Sequence, residues 1–99
     1  MMKTLQQFNY DERALILKAL AHPTRLRIVN LIREQKPCVR GIEEALGLAQ
    51  PNISQHLSLL RNIGIVEAER EGNQVCYRIK NPIVLRLLDV LCDEKTNST

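Results

Sequence analysis

Five side chains in this 99-residue chain are the best able to bind a soft ion, meet an electrophile or move a proton near neutral pH. They are Cys38, Cys76, Cys92, His22 and His56. An odd number of widely spaced cysteines, with no C-x-x-C pair, is neither a disulfide framework nor a zinc ribbon. Free thiols are therefore the default expectation. Three of them brought together would suit a metalloid or a soft metal ion, but the spacing alone does not bring them together. Cys38 is expected at a helix N-terminus, where the positive end of the helix dipole favours the thiolate. The plainer reading is that each cysteine is a small apolar filler. Cys38 with His22 or His56 would be the start of a nucleophile pair, yet no third orienting group or Gly-rich oxyanion turn accompanies it. An enzyme is not expected.

A second constellation lies between Glu44 and Glu67, a window without any acidic residue. Such a stretch meets phosphates without like-charge repulsion. Within it, Ile53, Leu57, Leu60, Leu59 and Ile63 follow helical spacing, and the positions between them point Gln50, Asn52, Ser54, Gln55, Ser58, Arg61 and Asn62 outward. These donors and acceptors are of the kind that read base edges and hold phosphates. A purely solvated face would more usually carry Glu and Lys. Here there is neither.

The elements that must carry these residues follow from the same periodicities. Asp11 and Glu12 open an amphipathic stretch with Leu15, Leu17, Leu20 and Ala21 as its apolar positions, interrupted at His22-Pro23. Pro23 starts a second helix of about 11 residues with Leu26, Ile28, Val29, Leu31 and Ile32. After Gln35-Lys36-Pro37-Cys38, a short helix runs from Val39 to Leu46, with Ile42, Ala45 and Leu46 inward and Gly47 as its left-handed cap. Gly47 and the brief turn Leu48-Ala49-Gln50 lead into the helix that begins at Pro51 and is ended by Gly64. Two helices so joined form a helix-turn-helix pattern. Residues 65–70 and 74–80 then alternate about Gly72-Asn73, a two-residue hairpin signal, with Arg70, Gln74 and Arg78 flanking the tip. A hairpin in this place is a wing.

Residues 83–92 are apolar nearly all round, broken only by Arg86 and Asp89. A terminal helix of so small a domain cannot bury every face within its own fold, and a twofold copy is the natural cover. Leu88 and Leu91 are the positions assigned to that contact. The chain reads as one domain, 1–99, with an ordered core of about 11–93 and flexible termini, mainly α with a small β-hairpin. Its composition is that of an ordinary soluble protein, 44% hydrophobic and 25% charged. An aromatic content of 3% argues against a stacking surface for RNA or single strands. The net charge of +3 is compatible with nucleic acid without demanding it. No signal segment or membrane span is visible, so a cytoplasmic location is expected.

The stretches LKALAHPTRLRIVNLI and LGLAQPNISQHLSLLRNIGIVEAEREGNQVCYRI, with the closing apolar helix, resemble the ArsR/SmtB family of bacterial repressors. The resemblance runs over roughly residues 13–92. It implies a winged helix-turn-helix of five helices, a homodimer paired through its first and last helices, and repression at an inverted-repeat operator in double-stranded DNA. It places the recognition motif on Gln50, Asn52, Ser54, Gln55 and His56, with Arg61 at the far end, and the wing motif on Arg70, Gly72, Gln74 and Tyr77. For His56, packing against the neighbouring helix is as good a reading as DNA contact. His22 is a boundary residue.

The family's inducers, as the resemblance implies, are metals, metalloids and reactive sulfur species, and here the sequence departs from its relatives. Cys38-Val39-Arg40 keeps one cysteine of the family's C-V-C pattern, and no histidine follows His56. Neither standard zinc ligand set is present. The remaining candidates are Cys38 and Cys92 as sensor thiols, with Asp89 and Asp93 near Cys92 and a lesser place for Cys76. Their oxidation or ligation would favour a dimer that spaces its recognition helices wrongly. No cofactor is otherwise called for. Two readings stand against this one: a constitutive ArsR-like regulator with no metal or thiol inducer, and a protein-binding winged helix that has lost DNA.

Overall fold

The computed structural model describes residues 9–93. The expectation of flexible termini falls mostly outside them. Among the described residues there are five helices and one two-stranded sheet: α1 (Tyr10–Leu20), α2 (Pro23–Gln35), α3 (Val39–Leu46), α4 (Gln50–Ile63), β1 (Val66–Glu71), β2 (Gln74–Ile79) and α5 (Pro82–Cys92).

Helix boundaries follow local chemistry. Asn9 caps α1 by accepting the Glu12 N–H on Oδ1 at 3.0 Å. His22 does the same for α2: its Nδ1 accepts from the N–H groups of Thr24 and Arg25 at 3.2 and 3.4 Å. Arg25 reaches back, and its Nε donates to the Ala19 carbonyl at 2.6 Å, holding the end of α1 against the start of α2. α2 runs two residues further than its apolar pattern suggested and ends at Lys36, whose φ of 47° is left-handed. Asn81 caps α5 through the Ile83 N–H at 2.9 Å.

The core is aliphatic. Ile28, Val29 and Ile32 of α2, Ile42 of α3, Ile53, Leu57 and Leu60 of α4, and Val84 and Leu88 of α5 are all closed off from solvent. Burying each such side chain is worth about 1.5–3 kcal/mol, which lets a core without large rings hold together.

Three sequence expectations change here. α1 turns Ile16, Ala19 and Leu20 inward, an i, i+3, i+4 set, and leaves Leu15, Leu17 and Ala21 outside. Ala45 of α3 is exposed, and Ile42 alone is buried there. Leu88, assigned to a dimer contact, is fully buried in its own protomer's core, because α5 rests that face on α2 and β2. The apolar residues α5 leaves outside are Leu85, Val90 and Leu91.

Candidate nucleic-acid interface

The α3–α4 corner is made by Gly47, Leu48 and Ala49. Gly47 takes φ 64° and donates its N–H to the Glu43 carbonyl at 2.8 Å, ending α3 where a side chain would be strained. α4 restarts at once, with Pro51 in its first turn. Ile53, Leu57 and Leu60 pin the helix to the core on one face. The opposite face is then forced outward: Gln50, Asn52, Ser54, Gln55, Ser58, Arg61 and Asn62 are all exposed. None of the residues of α4 is acidic. Six of the DNA-contact candidates lie on this helix, and five of those are on its open face.

His56 is the exception. It is half-buried, and its ring lies 4.9 Å from that of His22, tilted by 59°. Partial burial, with His22 and Arg25 beside it, holds its pKa below the usual histidine value of 6.5. At neutral pH it is a neutral packing group between α4 and the start of α2.

The wing follows directly. Gly64, at φ 93°, turns the chain out of α4, and the Ile65 N–H donates to the Leu60 carbonyl at 2.9 Å. β1 and β2 pair antiparallel from Val66↔Ile79 to Glu71↔Gln74, with Gly72 (φ 64°) and Asn73 at the tip. This register sorts the wing residues by face, since directly opposite residues share one. Arg78 lies with Glu67, Glu69, Cys76, Glu71 and Gln74, and Arg70 lies on the other face with Ala68 and Tyr77. Arg78 is engaged: Glu67 Oε1 accepts from its Nε at 2.8 Å and its Nη2 at 2.7 Å, and Glu69 stands 3.8 Å away. These carboxylates raise its pKa further. Arg70 is exposed and forms no ion pair among the described residues. The two arginines named together from the sequence are therefore not equivalent.

Between wing tip and reading head lies a polar groove of about 590 Å³, lined by Val39, Arg40, Glu43, Gln50, Asn73, Gln74 and Val75. Gln50 and Gln74, 24 positions apart in sequence, come together here. Arg40 was missed from the sequence. It is exposed at the first turn of α3, and only the fold puts it beside the start of α4.

The thiols are arranged otherwise than expected. Cys38 and Cys76 are bonded to each other, and Cys92 is free and half-buried. The default of three free thiols does not hold. The segment before α3 runs alongside β2, with an antiparallel bridge at Cys38↔Cys76, and the Tyr77 N–H donates to the Pro37 carbonyl at 3.0 Å. Asp89, expected near a Cys92 site, instead accepts from Arg33 Nη1 at 2.6 Å. Among the described residues, no three His, Cys, Asp or Glu side chains cluster closely enough to hold a metal ion, and no helix is long and apolar enough to cross a membrane.

The profile of the family described as "Bacterial regulatory protein, arsR family" matches residues 22–68, from the α2 cap to the middle of β1. The transcriptional repressor PagR of Bacillus anthracis superposes with a TM-score of 0.77 at 36% identity, covering 83% of this chain and 94% of that one. The chain belongs to the ArsR family. This ArsR-family chain is also 44% identical over 69 residues to the HTH-type transcriptional repressor SmtB of Mycobacterium tuberculosis, covering 70% of itself and 51% of that protein. It thus spans about half the length of that relative. A homodimeric winged helix-turn-helix DNA-binding domain from Mycobacterium bovis, possibly of the same family, superposes with a TM-score of 0.77 at 35% identity, covering 91% of this chain and 86% of that one.

Proposed function

We propose that this ArsR-family chain is a sequence-specific repressor that binds an inverted-repeat operator in double-stranded DNA as a homodimer. The observation that carries the reading is the open face of α4. Its amides and hydroxyls, with Arg61, are all exposed on a helix that carries no acidic residue, and a tight corner and a wing frame them. Amide side chains pair bidentately with adenine edges in the major groove, and hydroxyls serve either base type. Gln50, Asn52, Ser54 and Gln55 occupy the N-terminal half of α4, the part of a recognition helix that reaches base edges. Arg61 and Arg70, with Gln74 at the wing tip, supply phosphate contacts. Arg78 contributes less, because binding a phosphate means leaving Glu67. His56 positions α4 against α2 rather than touching DNA.

A homodimer follows from the surfaces α1 and α5 leave open. Leu15 and Leu17 on α1, and Leu85, Val90 and Leu91 on α5, are large apolar side chains exposed to solvent. The M. bovis relative is a homodimer, which supports the same assembly here. Twofold symmetry then presents two α4 helices to one face of the duplex, with half-sites about one turn, ~10 base pairs, apart.

The test is selection of duplexes from a random-sequence pool, followed by sequencing. An imperfect palindrome with that spacing is expected. Failure to enrich any sequence, with equal retention of all duplexes, would remove the repressor reading.

A further inference from the structure

We propose that the groove between α3, the start of α4 and the wing tip is a cradle for one sugar-phosphate strand of the duplex. In it Arg40 holds one phosphate per half-site, and Glu43 restrains how tightly any duplex is held. The proposal rests on the DNA-binding reading above and assigns two residues that the reading leaves without a part.

The cradle follows from how a helix meets a duplex. The major groove of B-DNA is about 12 Å wide and admits one α-helix, so a helix seated there has a sugar-phosphate ridge on either flank. With α4 in place, whatever stands beside its N-terminal half must receive a ridge or collide with it. The fold leaves a concavity of about 590 Å³ at that spot, with room for a phosphodiester and its sugars. Arg40 and Glu43 of α3, Gln50 of α4, and Asn73 and Gln74 of the wing supply its polar lining. All but Glu43 carry N–H donors, the groups that phosphate oxygens take.

Packing of α3 directs the first two side chains there. Ile42 is closed off in the core, and Val39 and Leu46 pack against it, which sets the inward stripe of the helix. Arg40 and Glu43, three positions apart, then share the flank that lines the groove. Arg40 is exposed and has no ion pair among the described residues, whereas Arg33 is held by Asp89 and Arg78 by Glu67. Its guanidinium can therefore meet a phosphate bidentately without first breaking a contact. Glu43 is half-buried and forms no salt bridge with Arg40. A carboxylate in a cleft that phosphate enters opposes every duplex alike, whatever its bases.

The experiment uses the full chain and a duplex that it has selected from a random pool. Affinity is measured across salt for that duplex and for a random one, and each phosphate of the selected duplex is replaced in turn by an uncharged methylphosphonate. Arg40→Ala should weaken binding to both duplexes by the same factor. Two lost phosphate contacts per dimer lower the salt slope by about 1.8, so the deficit at about 50 mM salt should be roughly tenfold that at about 200 mM. In the unmodified chain, one methylphosphonate position per half-site, on the ridge flanking the bases α4 reads, should weaken binding. In Arg40→Ala that position should become silent. Arg40→Lys should restore most of the affinity, since an ammonium serves a phosphate as a point charge. Glu43→Gln keeps the shape, removes the charge, and should strengthen binding to both duplexes by about three- to tenfold per dimer. Arg27→Ala removes an equal charge from the exposed surface of α2 and should leave the methylphosphonate pattern unchanged. If Arg40→Ala keeps every methylphosphonate effect, or loses affinity for the selected duplex alone, Arg40 holds no phosphate and the proposal falls. A Glu43→Gln chain that binds no more tightly overturns the part given to Glu43. Selection of no duplex at all would instead defeat the reading on which both rest.

Discussion

Leu88 and Leu91 lie one turn apart on α5 and were assigned to the same contact from the sequence, yet the structure gives them opposite duties. Leu88 is fully buried in its own protomer, whereas Leu91 is 55% exposed. Leu88→Ala should therefore cost about 2–5 kcal/mol of folding stability, as truncation of a closed core leucine does. Leu91→Asp should leave the protomer fold intact and act on assembly. Fully burying a leucine is worth up to about 3 kcal/mol, and rather more than half of this one remains to be covered. With two copies at a twofold interface, removal costs about 3 kcal/mol, which weakens dimerisation roughly 100-fold. The desolvation of the new carboxylate adds to that. Sedimentation equilibrium gives the dimer constant, and urea unfolding at matched protein concentration gives the stability, since the two are linked in a dimer. A Leu91→Asp chain with an unchanged dimer constant would refute the assignment of this face. So would a Leu88→Ala chain that dissociates without losing stability.

Three further outcomes follow from the interface geometry. Gln55→Ala should cost about 1–3 kcal/mol on the selected duplex and relax discrimination at one or two base positions, while binding to random duplex is unchanged; equal losses on both would make Gln55 a phosphate contact. Arg70→Ala should weaken binding to all duplexes and flatten the salt dependence, by about two phosphate contacts per dimer, whereas Arg78→Ala should flatten it less; identical slopes in titrations from low to high salt would contradict the distinction drawn from Glu67 and Glu69. Acidification should destabilise the unliganded fold. The folded His56 resists protonation relative to the unfolded chain, so its contribution is intact above about pH 6.5 and is lost as the pH falls below that value. Urea midpoints at pH 7.5 and 5.5 should therefore lie closer together in His56→Gln than in the unmodified chain, and an unchanged gap would count against this role for the His22–His56 contact.

Much of the fold was legible in the sequence because its signals are local. Pro23 and Pro51 mark first helical turns, Gly47 and Gly64 mark helix ends, and Gly72-Asn73 marks a two-residue hairpin; each is decided by the backbone freedom of one or two residues. The open face of α4 was equally legible, since a 3.6-residue repeat that buries Ile53, Leu57 and Leu60 fixes the direction of every residue between them. The phase of α1 was not. Leu15, Leu17 and Leu20 fit no single stripe, and only packing on α2 and α4 selects Ile16, Ala19 and Leu20 as the inward set.

Tertiary structure alone decided the relations between distant residues. Periodicity made α5 apolar all round, but which apolar face met the protomer's own core depended on where α2 and β2 lay, and that sent Leu88 inward and Leu91 out. Wing register separated Arg70 from Arg78 by putting carboxylates on one face only. The meeting of His56 with His22, and of Cys38 with Cys76, depends on chain closure over 34 and 38 positions. No propensity or spacing rule encodes such closures. They are set by the shape into which the aliphatic core packs, so the sequence determined which surfaces α4 and the wing would present, and the packed fold determined which of their side chains are free to use them.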